Sequence, residues 1–165
     1  MASTTAQNYE QVSYSAPGMS QHRSSARQII GDAVATRQLL PQESGALCLF
    51  DRAAGVVYTL PTPVIGMQFE FQTTVTITSN AAKVITKTVA SEFILGLVDI
   101  LIAASATTLA AAFNGTTHVA ISSNGTTTGG VIGDRFRLTA ISSTQWVIDG
   151  VISGSGSIAT PAATS

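Results

Sequence analysis

The residues able to do chemistry are few, and their spacing does not assemble them into a known reacting group. His22 and His118 are the only histidines. A zinc-type site needs further His, Cys, Asp or Glu a few positions away, and neither histidine has such a neighbour. Cys48, the single cysteine, lies between Leu47 and Leu49, which suits a buried thiol packed as a small apolar side chain. Gly125 to Gly133 (GTTTGGVIG) is rich in glycine. No Lys follows at the position that contacts phosphates in a nucleotide-binding loop, so turn formation is the better account of these glycines. Asp99 is set in the apolar run Phe93 to Ala104. Buried there, a carboxylate would either raise its pKa or need a partner, and a loop break or a subunit contact explains it more simply than a site. Asn114-Gly115-Thr116 and Asn124-Gly125-Thr126 match the N-glycosylation acceptor pattern, yet they read first as turns. No residue is assigned a catalytic, cofactor-binding or metal-binding role. The expectation is a non-enzymatic protein without cofactors.

Composition narrows the classes further. Charged residues are 10% of the 165, against about 25% in an ordinary soluble domain. Ser and Thr fill the difference, at about a quarter of the chain. With a formal net charge of -1 there is no cationic surface of the kind nucleic acid requires. One cysteine cannot form an internal disulfide. The longest apolar run holds about twelve residues, below the roughly 18 that span a bilayer as a helix. The first residues, MASTTAQNYEQ, have neither the basic nor the apolar segment of a secretory signal. No nucleic-acid or membrane partner is expected. A domain so short of charge is poorly protected against self-association, so an oligomer or assembly is expected.

The elements that would position any site read as strands. Residues 1 to about 28 are rich in Ser, Gln and Ala and nearly free of Leu, Ile and Phe, so they cannot bury enough apolar area to offset ordering. They read as an arm, taken to extend over residues 1–40. Residues 29 to 40 fit a helix face or an extended strand equally, and Pro41 ends either one. Ala46 to Asp51 and Val56 to Leu60, joined by Arg52-Ala53-Ala54-Gly55, predict a hairpin. Met67, Phe69 and Phe71 alternate with Gln68, Glu70 and Gln72, and Val75 and Ile77 alternate with threonines. This period of two continues into Lys83 to Thr88. Phe93 to Ala104 is read as a buried strand or pair of strands, and residues 103–117 as a long loop with a short strand. Asn114-Gly115-Thr116-Thr117 recurs as Asn124-Gly125-Thr126-Thr127. Asn-Gly predicts type I′ turns, with a strand from His118 to Ser123 between them. Arg135 to Ile141 and Gln145 to Ile152 predict a final hairpin, with Phe136, Leu138 and Ala140 on one face and Arg135 and Arg137 on the other. The expected fold is all-β: a compact antiparallel β-sandwich or barrel, jelly-roll-like, with an extended N-terminal arm. The β-domain would occupy residues 41–154, and 155–165 would be a flexible tail.

Several short segments, taken in order, resemble a family. They are Glu43-Ser44-Gly45, Leu49 to Gly55, Thr59-Leu60-Pro61, Phe69-Glu70-Phe71, Thr78-Ser79-Asn80 and Lys83-Val84-Ile85. Later come Asn124 to Gly130, Gly133-Asp134, Trp146 to Gly150 and Ala159-Thr160-Pro161. Over roughly residues 36 to 162 the chain resembles small virion structural proteins of tailed bacteriophages, of the head decoration or cement type. The resemblance implies an all-β subunit, commonly a homotrimer, on the outer surface of the capsid. Its partner would be the major capsid protein, and it would be made in the host cytoplasm. It implies no catalytic residues. Within the arm, Arg23, Arg27 and Arg37 are the candidate capsid contacts, since guanidinium groups pair well with carboxylates. The competing reading is a tail or fibre-associated receptor-binding module for host surface carbohydrate, in which Trp146 would stack on a sugar.

Overall fold

The computed structural model describes residues 27–31, 33–102, 104–105 and 107–165. Twelve strands account for nearly all of its regular structure. The first six are β1 (Ile29–Ile30), β2 (Thr36–Gln38), β3 (Leu47–Phe50), β4 (Val57–Thr59), β5 (Gln68–Thr73) and β6 (Ala82–Ile85). The others are β7 (Phe93–Ile102), β8 (Thr107–Asn114), β9 (Ala120–Ser123), β10 (Arg135–Ala140), β11 (Gln145–Gly154) and β12 (Ala162–Ala163). A single 3-10 turn, Pro41–Glu43, precedes β3. The strands form a seven-stranded sheet, ordered β1-β3-β5-β10-β11-β7-β8, and a five-stranded sheet, ordered β12-β9-β6-β4-β2. The fold is an all-β sandwich.

The sheets are mixed, where the sequence suggested antiparallel pairing throughout. From β1 to β6 the chain changes sheet at every connection. Two reversals restore the original direction, so neighbours two strands apart in sequence run parallel: β1 with β3, β3 with β5, β2 with β4 and β4 with β6. The expected hairpin of residues 46–60 is therefore an arch between sheets. Cys48 and Phe50 on β3 and Tyr58 on β4 are all buried, and the Phe50 and Tyr58 rings meet edge-on from opposite sheets across the core.

The same switch explains the repeated Asn-Gly-Thr-Thr segments. Asn114 carries the chain from β8 to β9 and Asn124 from β9 to β10, each a change of sheet. Ala33 is the only non-glycine described residue with positive φ, so neither asparagine adopts the type I′ conformation. Each side chain caps its corner instead. Asn114 Oδ1 accepts from the Thr116 and Thr117 N–H groups at 3.0 and 2.9 Å, and Asn124 Oδ1 accepts from Thr126 and Thr127 at 2.9 Å each. Asn114 Nδ2 and Asn124 Nδ2 donate to the second threonine hydroxyl at 2.7 and 2.8 Å. These are local side-chain substitutes for a backbone turn.

Other boundaries also move. Residues 29–30 and 36–38 are strands of the two sheets, so the sandwich begins inside the stretch assigned to the arm. The tail is fastened: β12 pairs with β9, and the Ser122 N–H donates to the Pro161 carbonyl at 2.8 Å. Much of residues 103–117 is the eight-residue strand β8. Its many Ala and Thr residues weaken the apolar alternation that marks a strand in sequence. β5 ends at Thr73, and Ile77 is buried by a loop bonded to the Gly130 carbonyl rather than by a strand. Phe93 to Ile102 is one strand, and the β10–β11 hairpin has the predicted faces.

The longest pairing is β7 with β11, parallel over ten residues. Gly96 lies at its middle with φ of +126°, and a Cβ there would come within 2.2 Å of the Ile148 carbonyl oxygen. Gly96→Ala combines backbone strain with a steric clash and is expected to cost about 3 kcal/mol. That corresponds to a fall in Tm of about 6–12 °C, read by thermal unfolding. A shift within about 2 °C would show that the pairing does not depend on this glycine.

Candidate functional site

The outer face of the seven-stranded sheet holds the most organised group of exposed side chains. Alternation on β10 turns Phe136, Leu138 and Ala140 inward and Arg135 and Arg137 outward. The register sets Arg137 between Glu70 on β5 and Asp149 on β11. Arg137 Nη2 lies 3.3 Å from both carboxylate oxygens of Asp149. The Arg27 guanidinium pairs with Glu70 from the far side and donates to the carbonyls of Gly45 and Ala46, at 2.8 and 3.2 Å. Arg135 is exposed beside Gln72 and Val151 and forms no ion pair among the described residues. A shallow depression of about 150 Å³ opens here, lined by Glu70, Arg135, Phe136, Arg137, Asp149 and Gly150. The side chains of Arg137 and Asp149 are 51% and 57% exposed. Pairs so exposed contribute about 0–1 kcal/mol to stability, so the fold has little need of this strip. Three cations beside two anions give it a positive excess suited to a carboxylate-bearing partner.

The same face becomes apolar toward β8. Leu97 and Leu101 on β7 and Val151 on β11 are 58%, 41% and 42% exposed. Ala110 and Ala112 on β8 lie beside them and are also exposed. Asp99 stands between the two leucines, exposed and level with Val151 and Ala110. It is not the buried carboxylate its apolar neighbours suggested, because a two-residue period puts it on the outer side of a strand whose inner side carries Val98 and Ile100. Clustered exposed apolar groups of this kind characterise contact surfaces.

The residues first considered for chemistry lie elsewhere. Cys48 is buried, and burial, with a smaller effect from the Glu43 charge, pushes its thiol up to about 12. His118 Nδ1 accepts from the Asn114 N–H at 3.1 Å, and its ring meets Phe113 edge-on at 5.8 Å. Trp146 is wholly buried against Phe69, so it offers no surface on which a sugar could stack. Among the described residues no three His, Cys, Asp or Glu groups come together as a metal site. Sequence reasoning gave no role to Asp134. Its Oδ2 accepts from the Gly130 and Val131 N–H groups at 2.8 and 3.0 Å. Its Oδ1 accepts from the Ser153 N–H and hydroxyl at 2.8 Å each. Burial raises its pKa, while these four hydrogen bonds act in the opposite direction. Asp134 ties the turn before β10 to the end of β11. The only hint in the sequence is its place after a glycine-rich turn.

Of the three candidate arginines, Arg23 lies outside the described residues. Arg27 joins the charged strip. Arg37, on β2, is held at 2.6 Å by Glu43, a buried carboxylate that also accepts from the Leu40 N–H at 2.8 Å. The two therefore differ in kind: Arg27 forms an exposed pair, and Arg37 neutralises a buried charge.

Arg37→Ala is expected to destabilise the chain by roughly 2–3 kcal/mol, because Glu43 would keep its burial and lose its cation. Arg27→Ala is expected to cost less than about 1 kcal/mol. Urea unfolding of both variants checks the difference, and equal losses would remove it. The Cys48 thiol is expected to resist disulfide reagents near pH 8 until the chain unfolds. Since its folded value is raised from 9.0 to about 12, its contribution to stability is complete below pH 9 and is lost as pH rises from there toward 12. Rapid labelling of folded protein at pH 8 would contradict this. No protein-family model, curated protein or solved structure matches this chain.

Proposed function

We propose that the chain is a head decoration (cement) protein of a tailed bacteriophage. In this reading it is non-enzymatic, binds the major capsid protein on the outer surface of the virion as a homotrimer, and holds neighbouring capsomers together. The observation that supports it is the outer face of the seven-stranded sheet, where exposed Leu97, Leu101 and Val151 adjoin the strip of Arg27, Glu70, Arg135, Arg137 and Asp149. Such a face suits a protein partner: apolar area supplies affinity and the charges supply orientation. The ordered resemblance of residues 36 to 162 to decoration proteins supplies the kind of partner.

The mechanism is one of binding. A trimer matches a local three-fold position of a capsid lattice. Three linked contacts bind more tightly than one by about 10²–10⁴. Each subunit fastened to its own capsomer then adds its binding free energy to the work of separating them.

Co-sedimentation tests the proposal. Purified chain is mixed with undecorated expanded heads and, separately, with host cells. Saturable binding to heads in multiples of three is the expected outcome, with Arg135→Glu weakening it at unchanged stability. Binding to cells and not to heads would overturn the proposal and favour a receptor-binding module.

A further inference from the structure

Three of the four sheet edges are short: β1 and β12 have two residues each and β2 has three. The fourth, β8, has eight. Its sequence, TTLAAAFN, contains no Lys, Asp, Glu or Pro, the residues with which proteins commonly block edge pairing. β12 approaches β8 from the other sheet, yet Thr108, Ala110 and Ala112 stay exposed.

The hydrogen-bond phase of this edge follows from one contact. The Gly115 N–H donates to the Ile94 carbonyl at 2.9 Å. In an antiparallel ladder the bonded pairs recur at every second residue. With the β7–β8 register, Phe113, Ala111 and Leu109 therefore direct their backbone groups at β7. Thr108, Ala110 and Ala112 direct theirs outward. The next outward N–H, that of Asn114, is taken by His118 Nδ1. Among the described residues the open edge thus runs from Thr108 to Ala112, with Ala110 at its centre.

We infer that β8 pairs with β8 of a second copy, antiparallel, about a two-fold axis through Ala110. In this register Ala110 faces the partner's Ala110, and Thr108 faces the partner's Ala112. All the outward N–H and C=O groups of the open edge are then satisfied at once, which no one-residue shift achieves. The outward side chains at the seam are small. On the inner side Leu109, which is 45% exposed, meets the partner's Ala111. On the outer side the Leu97 and Leu101 patches of the two copies become one surface. Charge permits the approach, since β8 carries none. The Asp99 carboxylates of the two copies lie three strand spacings apart, about 14 Å, beyond the screening length of roughly 8 Å.

The area sets the strength. A strand edge of eight residues is roughly 27 Å long, and a sheet is about 10 Å deep. That is well below the roughly 800 Å² per partner of a stable complex, so the dimer is weak and depends on concentration. The inference does not rest on the decoration reading. A two-fold contact closes at two copies, so in a trimeric decoration protein it joins subunits of neighbouring trimers.

Sedimentation velocity and amide hydrogen exchange on the full chain, at about 10 µM and about 1 mM, test it. The particle mass should rise with concentration, doubling where the unassociated particle is a single chain. The Thr108, Ala110 and Ala112 amides should gain at least about ten-fold protection while Leu109 and Ala111 do not change. Ala110→Lys sets two ammonium groups on the axis and should abolish the rise. Ala110→Pro removes an outward N–H that the β7 ladder does not use, and should do the same without lowering Tm. A mass independent of concentration, a larger particle in which these three amides exchange freely, or an unimpaired Ala110→Lys dimer would each overturn the inference.

Discussion

The structure depends on four aromatic rings where the two sheets meet. Phe50, Phe71 and Phe136 come from three adjacent strands of the seven-stranded sheet, and Tyr58 comes from β4 in the other. Phe71 and Phe136 stack with centroids 5.1 Å apart, and Tyr58 meets Phe50 and Phe71 edge-on at 5.4 and 5.6 Å. Its hydroxyl donates to the Leu49 carbonyl at 2.7 Å, bridging the sheets. Losing one such ring to alanine costs about 3–5 kcal/mol, a large part of the 5–15 kcal/mol that holds a typical domain together. The cluster requires β3 and β4, neighbours in sequence, to face each other across the core. The crossings from β3 to β4 and from β4 to β5, and the parallel pairing of β3 with β5, follow from that.

The core's claim on one side of each strand leaves the other side free. On β10 and β11 the inward residues include Phe136, Leu138, Trp146 and Ile148, all buried. The outward residues include the Arg137–Asp149 pair, which is too exposed to contribute much to folding. The long β7–β11 pairing extends this free surface to β8 and adds the exposed leucines. Charged and apolar halves thus share one continuous sheet face without disturbing the packing beneath. Arg37 and Glu43 lie elsewhere and follow the opposite rule: their pairing keeps a buried carboxylate from remaining uncompensated.

Much of this was legible in the sequence. Strict alternation in Gln68–Thr73 and Arg135–Ala140 named both the strands and their inner faces, because a strand's side chains have a period of two whatever it pairs with. The burial of Cys48 and the β10–β11 hairpin were equally local inferences. Of the candidate site, Arg135 and Arg137 were seen to share a face. Their association with Glu70 and Asp149 was not, since these residues lie on other strands and only register brings them together. β8 was hidden because its alanines and threonines give little contrast between faces. The exposure of Asp99 was not legible, because composition averages over both sides of a strand.

By itself, then, the sequence determined the all-β class, most strand positions, the turn residues and the inward side of the clearest strands. Each of these is set by backbone sterics and by the apolar pattern within a few residues. The tertiary structure alone decided which strands are neighbours, whether they run parallel, which asparagine turns are corners between sheets, and that among the described residues one long edge stays open. A turn at Arg52 to Gly55 reverses the chain equally well within a sheet or across the sandwich. What selects the crossing is the packing of Tyr58 against Phe50 and Phe71, an interaction among three strands that no local stretch of sequence contains.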